Sequence, residues 1–260
     1  MVLIDTHSHL YEKEFDEDRE DAIKRLKDNN IKKVLLPNID VESWQRMIDL
    51  EQSDRNLFVS MIGLHPTSVK EDYTTQLEIL RNTVGTHRYC AIGEIGLDFY
   101  WDRTFEKEQI IAFEEQIDWA IRLDLPLALH VRKALPETIS SLRRFDKSKL
   151  RGVFHSFSGS VEMAREISHL GDFYYGINGV VTFKNAGIAD VVKAIDIHRI
   201  VLETDCPYLT PVPFRGKRNE TSYIVYIAQK IAEVKGLDVE TVARITTKNA
   251  ETLFNLENFV

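Results

Sequence analysis

Short runs of β-branched and apolar residues alternate with longer, charged segments along most of this chain. The strand-like runs fall at 2–9, 33–39, 57–65, 89–96, 125–131, 152–157, 173–181 and 199–205. Val34-Leu35-Leu36 and Ile200-Val201-Leu202 are apolar on both faces, as expected of parallel strands covered on two sides. Between the runs, 17–29 places Ala22, Ile23 and Leu26 on one helical face, and 105–123 carries Ile110, Phe113, Ile117 and Ala120 at helical spacing. A helix over 160–170 opens on Ser160 as its cap and is expected to stop at Gly171. The stretch 221–254 predicts two further helices. Strand followed by helix, repeated eight times, predicts an α/β fold with a parallel sheet closed into a (β/α)₈ TIM barrel.

Composition fits that architecture. The 260 residues are 43% hydrophobic, enough for one large core, and no internal repeat, linker or composition shift divides them. A single domain over 1–260 is expected. With 12 Gly and 7 Pro the chain is not low-complexity. No apolar stretch is long enough to cross a bilayer. The opening Met1-Val2-Leu3-Ile4-Asp5 already reads as strand and leaves no room for a signal peptide. Cys90 and Cys206 make no disulfide framework and suit a reducing compartment. A cytoplasmic monomer is therefore expected, with no membrane and no obligate protein partner. The net charge of −8 argues against a broad basic face wrapping a duplex. It leaves room for nucleic-acid chemistry in which bound cations and a few local basic groups meet the phosphates.

The chemistry gathers at the strand ends. Of eight histidines, His7, His9, His65, His130 and His155 fall at the C-terminal ends of predicted strands, where barrel active sites sit. His87, His169 and His198 fall in helices or loops and read as surface residues. A lone strand-end histidine would be structural; five on one rim beside carboxylates point to metal. Alternation in Asp5-Thr6-His7-Ser8-His9 points His7 and His9 to one side, where both can grip one ion. Glu94, flanked by Gly93 in an apolar strand, has two oxygens with which to bridge two cations. His130 and His155 end apolar strands and suit a second ion. Asp205, before Cys206-Pro207, can bind metal and hold the attacking water. Glu203 is read as support and Cys206 as a bystander, since no base is arranged for it.

Taken together, Asp5-Thr6-His7-Ser8-His9-Leu10, Gly63-Leu64-His65-Pro66, Gly93-Glu94-Ile95-Gly96-Leu97-Asp98-Phe99-Tyr100, His155-Ser156-Phe157-Ser158-Gly159, Glu203-Thr204-Asp205-Cys206-Pro207-Tyr208-Leu209 and Arg215-Gly216-Lys217-Arg218-Asn219-Glu220 resemble the TatD-type metal-dependent deoxyribonucleases. The likeness runs from residue 2 to about residue 255. It implies an amidohydrolase-like TIM barrel with two divalent metals (Mg, Mn or Zn). His7, His9, Glu94 and Asp205 would surround one, and Glu94, His130 and His155 the other. It also implies hydrolysis of DNA, in some members as 3′ exonucleases, with RNA and other esters proposed within the family. Two departures stand out: Lys133 replaces the usual acid after Arg132, and Ser156 stands where Cys is common.

The expected reaction is phosphodiester hydrolysis, with two cations roughly 3.5–4 Å apart holding the scissile phosphate and activating a water. Asp205, Glu94 and His65 are the expected catalytic residues: Asp205 takes the water's proton, and His65 contacts the phosphate or leaving group. Arg132, Arg215, Lys217 and Arg218 are candidates for neighbouring phosphates. Phe99-Tyr100-Trp101 could stack on unpaired bases, although at least one of them is expected to pack the loop. Two alternatives remain: a small-molecule amidohydrolase or esterase on the same fold, and a non-catalytic metal-binding scaffold. Glu94, standing where many amidohydrolases use a carboxylated lysine, favours the nuclease.

Overall fold

In a computed structural model, described here over residues 1–259, eight parallel strands run in chain order. They are β1 (Leu3–Asp5), β2 (Ile31–Leu36), β3 (Phe58–Ser60), β4 (Ile92–Asp98), β5 (Leu127–Arg132), β6 (Arg151–Phe154), β7 (Asp172–Ile177) and β8 (Ile200–Leu202). Ladders join β1 to β3 and β4 to β8. Single parallel bridges, Ile62 with Ile92 and Ser8 with Cys206, close the ring between them. Helices fill the crossovers: α1 (Arg19–Asp28), α2 (Val41–Ser53), α3 (Tyr73–Thr83), α4 (Glu106–Leu123), α5 (Leu135–Leu142), α6 (Val161–Ile167) and α7 (Ile188–Ala194), with α8 (Ile224–Lys235) and α9 (Val239–Phe254) after β8. The molecule is a (β/α)₈ barrel.

Alternation along the strands sorts the core into two clusters. Ile4, Leu35, Val59, Ala91, Ala128, Val153, Tyr174 and Val201 fill the barrel interior, and Ala250, Leu253 and Phe254 of α9 pack on them. Leu3, Val34, Leu36, Phe58, Leu127, Leu129, Phe154, Tyr175 and Leu202, the intervening residues, pack among the helices. Two residues beyond the interior layer, in register with it, come His130 after Ala128, His155 after Val153, and Glu203 then Asp205 after Val201. Polar residues thus form the next layer of the barrel interior, at its C-terminal end.

The strands are shorter than the pattern predicts at that end. After Asp5 and after Leu202 the chain leaves the regular ladder, yet Asp205 N–H still donates to His7 O (2.9 Å) and His9 N–H to Cys206 O (2.9 Å). One helix boundary is also corrected. Ser160 does cap α6, but the helix ends at Ile167, before Gly171. Gly171 instead lets the chain pass Leu150, since a Cβ there would lie 2.4 Å from Leu150 O.

Candidate metal centre

All six predicted ligands converge. Glu94 is buried, and its Oε2 lies 3.0 Å from His7 Nε2 and 3.6 Å from His9 Nε2. Its Oε1 lies 2.9 Å from His130 Nδ1, 3.5 Å from His65 Nε2 and 3.9 Å from His155 Nε2. Asp205 Oδ1 closes the other side, 3.6 Å from both His9 Nε2 and His155 Nε2 and 3.9 Å from His7 Nε2. Asp205 holds a left-handed backbone (φ 58°), a region that Asp enters more readily than most residues.

Hydrogen bonds around the rim fix the tautomers. Tyr11 OH donates its only proton to Pro37 O (2.6 Å), so it must accept from His9 Nδ1 (2.9 Å). The Nε2 of His9 is then a bare lone pair facing two carboxylate oxygens. Burial, with His7 close by, pulls the His9 pKa down to about 3, so the ring is neutral at pH 7. A lone pair pointed at two anions is repulsive unless a cation lies among them. His65 is set the opposite way. Thr67 N–H donates to His65 Nδ1 (3.2 Å), which leaves the proton on Nε2, the nitrogen facing Glu94. Although His65, Glu94 and His130 lie close enough together to hold an ion, this tautomer makes His65 a donor into the site.

His130 and His155 each rest on a second carboxylate. His130 Nε2 lies 2.9 Å from Asp98 Oδ2, and His155 Nδ1 lies 3.1 Å from Glu203 Oε2. That second contact is close but poorly aligned, and both its atoms lack a hydrogen-bond partner, as does buried His7 Nδ1. Burial opposes charging either ring. Hydrogen bonds to Asp98 and Glu94 overcome it and push His130 up to about 9, while the charges of Glu203, Asp205 and Glu94 hold His155 well above its usual value. Glu94 is held well below the carboxylate range: burial raises it, but the surrounding imidazoles of His7, His65 and His155 and the His130 hydrogen bond outweigh that. Glu203 also accepts from Ser156 N–H (2.6 Å), and Gly176 leaves it room, since a Cβ there would sit 2.1 Å from Glu203 Oε2.

The donor set fits divalent metal. Among the described residues, Glu94, Asp98, Glu203 and Asp205 have only histidines as ion-pair partners. Four acids are thus balanced by imidazoles alone, with no lysine or arginine, and imidazole with carboxylate suits zinc, manganese or iron. His130–Asp98 and His155–Glu203 are the carboxylate–histidine pairs that orient metal-binding imidazoles.

The grouping differs in one respect from that implied by the resemblance. His155 stacks on His7 (ring centroids 3.4 Å apart) and faces Asp205, whereas His65 stands beside His130 (centroids 4.4 Å). Glu203 draws His155 toward β8, and Asp98 draws His130 toward β4. Asp98 was not singled out in the sequence as a partner of His130, and only the i, i+2 spacing from β8 to Asp205 hinted at Glu203.

The basic candidates lie around this end, Arg132 closing β5 and the others in the loop after β8. Arg132 has its guanidinium 4.0 Å from the Tyr100 ring centroid, and Arg215 lies 4.2 Å from that of Phe183. Lys217 is exposed, 5.9 Å from the Phe214 ring. Arg218, by contrast, is engaged: both its terminal nitrogens contact Asp18 (2.7 Å each), and one also donates to Glu14 O (2.6 Å).

Comparison with known proteins places the chain among metal-dependent hydrolases. The sequence profile of the family described as TatD related DNase matches residues 4–255. The uncharacterized metal-dependent hydrolase YabD of Bacillus subtilis (strain 168) is 37% identical over 256 residues, covering 98% of this chain and all of that one. YcfH of Escherichia coli (strain K12), also named an uncharacterized metal-dependent hydrolase, is 32% identical over 261 residues, 99% of this chain and 97% of its own. The crystal structure of YjjV, a TatD homologue from Escherichia coli K12, superposes with a TM-score of 0.90 at 28% identity, covering 97% of this chain and 98% of that one.

Proposed function

Since this chain belongs to the TatD family of metal-dependent hydrolases, we propose that it cleaves phosphodiester bonds of DNA at a site holding two divalent cations. The observation that carries this reading is Glu94. One carboxylate offers Oε2 to His7 and His9 and Oε1 to His130, so it stands between two groups of nitrogen donors. A bridging acid between two such groups is the arrangement of two-metal phosphodiester cleavage.

By the resemblance, His7, His9 and Asp205 would hold one ion and His130 and His155 the other, with Glu94 shared; His155, which lies 3.6 Å from Asp205 and 3.9 Å from Glu94, stands between the two groups. The bound ions would supply Lewis acidity and compensate the charge on the phosphate. The chain's own residues do the rest. Asp205, the most exposed carboxylate of the group at 13%, faces solvent at the barrel end and is placed to take a proton from an incoming water. Its pKa lies below the usual value: burial raises it, but the charge and hydrogen bond of His155 outweigh that, and it is therefore ionised and able to accept. His65 Nε2–H is placed to donate to a phosphate oxygen or to the departing hydroxyl. Arg132, Arg215 and Lys217 lie where flanking phosphates would pass. Arg218 would have to leave Asp18 to join them.

The test is metal-stripped protein with 3′-labelled and 5′-labelled single-stranded DNA, adding back Mg²⁺, Mn²⁺ or Zn²⁺ in turn. Metal-dependent shortening is expected, with the label lost first giving the polarity. Asp205→Asn should lower turnover by about 10³-fold, as loss of a positioned base does, while leaving the fold intact. Intact DNA under every metal, with turnover of small esters or cyclic amides, would reverse the assignment.

A further inference from the structure

Beside the metal centre lies a second, separate hollow. A cavity of about 420 Å³ opens between the loops that follow β3 and β4, lined by Thr67, Val69, Lys70, Asp98, Trp101, Asp102, Phe105 and Gln109. Val69 is buried, and Phe105 is half-buried under the Lys70 ammonium (5.4 Å to its centroid). Trp101 is 69% exposed, the most solvent-accessible large hydrophobic residue described, and Tyr100 beside it is 51% exposed. Phe99 alone of the three consecutive aromatics is buried. The Arg132 guanidinium lies 4.0 Å from the Tyr100 centroid and 4.9 Å from that of Trp101. Tyr100 and Trp101 meet edge to face (84° between their planes), so the exposed Trp101 ring with Arg132 beside it makes a small cationic shelf.

Two bonds tie this hollow to the reacting end of the barrel. Asp98 holds His130 Nε2 with Oδ2 (2.9 Å), while its Oδ1 accepts from the N–H groups of Tyr100 (2.9 Å) and Trp101 (3.4 Å). One carboxylate thus fixes both a metal-site imidazole and the turn that carries the shelf. On the other wall Thr67 Oγ1 lies 2.6 Å from His65 Nδ1. A ligand in the hollow therefore lies against the partners of His65 and His130.

We propose that this hollow is a nucleobase subsite, in which one unpaired base next to the scissile phosphate stacks on Trp101 while Arg132 or Lys70 meets its phosphate. The proposal rests on the phosphodiesterase reading and adds a contact that only an unstacked base can make. Polar groups around the hollow already have partners: both amide atoms of Gln109 bond the Asp98 backbone, Thr67 is turned to His65, and Asp102 accepts from Thr104 N–H (2.9 Å) and lies 3.9 Å from the Lys70 ammonium. The hollow thus offers faces rather than edge-reading groups, so it should accept all four bases.

The test uses Trp101→Ala and Trp101→Phe on two single-stranded oligonucleotides, one ordinary and one with abasic residues flanking the cleavage position. On ordinary DNA, Trp101→Ala should lower kcat/KM roughly tenfold or more, mainly through KM, with Trp101→Phe largely restored. On abasic DNA the wild type should show the same loss, and Trp101→Ala little further change. Equal losses from Trp101→Ala on both oligonucleotides, or no loss on either, would overturn the subsite. A binding measurement stands apart from cleavage. Thymidine should quench tryptophan fluorescence in the wild type and not in Trp101→Phe, and deoxyribose 5-phosphate should quench neither. If no DNA is cleaved but thymidine quenches through Trp101, the nuclease reading fails and the base subsite stands. DNA cleavage without quenching retains the nuclease and removes the subsite.

Discussion

A proton and a divalent cation compete for the same imidazole lone pair. His130 and His155 are both held protonated at neutral pH by carboxylates on either side. When an ion takes the nitrogen that faces Glu94 in one and Asp205 in the other, each ring keeps its remaining N–H on Asp98 or Glu203. Loading at pH 7 should therefore release about two protons per chain, measurable by calorimetry in buffers of different ionisation heat. Loading without proton release would mean that these two rings are not ligands. The same groups set the pH dependence of the metal-free fold. His130, raised to about 9 from 6.5, binds a proton in the folded state that the unfolded chain has lost, so its contribution is complete below pH 6.5 and fades toward 9. His9, lowered to about 3, stays neutral where the unfolded chain is protonated, so stability falls as pH drops from 6.5 toward 3. Thermal melts of chelated protein should peak near pH 6.5, and added metal should remove the alkaline decline. A flat profile from 6.5 to 9 would contradict the paired state of His130.

Strands and loops set these residues in place through small residues as much as through ligands. Gly176 of β7 faces Glu203, and no side chain fits between them. Gly176→Ala should push Glu203 off His155 and weaken metal binding by about 10–100-fold, the usual effect of losing an outer partner of a ligand. Unchanged zinc affinity in a competition titration would show that Glu203 does not orient that ring. At this scale the sequence was legible where periodicity was long. α4, α8, α9 and the apolar strand cores stand out, and the strand-end position of each histidine follows from them. α5 and α7, of 8 and 7 residues, are too short for a helical repeat to establish itself, and α2 and α3 were not delimited. The strands were read too long because the segments beyond them remain extended while bonding individually across the barrel. Asp98, Thr67 and Tyr11 escaped for another reason. Each acts on a histidine through a side-chain geometry that spacing cannot reveal, and Asp98 reaches His130 across 32 positions of chain.

At the scale of the molecule, the net charge of −8 opposes a polyanion, so the proposed DNA substrate would have to be drawn in by a few cations around one end of the barrel. Arg132 closes β5, and Arg215 and Lys217 sit in the loop after β8, so at most a few phosphates can be neutralised together. Each contact to a single strand contributes about −0.7 to the slope of log affinity against log salt. Two or three contacts give a total of roughly −1.5 to −2, shallow beside proteins that clasp a duplex. Lys217→Ala should make that slope shallower by about 0.7, because Lys217 is exposed and forms no ion pair among the described residues. Arg218→Ala, one residue on, should leave the slope alone and lower the melting temperature instead. Its guanidinium joins the 205–220 loop to Asp18 and Glu14 O, so the loop rather than the phosphate would feel its loss. Binding of a labelled oligonucleotide to the Asp205→Asn protein across a salt series separates the two. If Arg218→Ala flattens the slope as much as Lys217→Ala does, Arg218 must leave Asp18 to meet DNA. If neither variant changes it, the polyanion is held by Arg132, Arg215 and the metal centre alone.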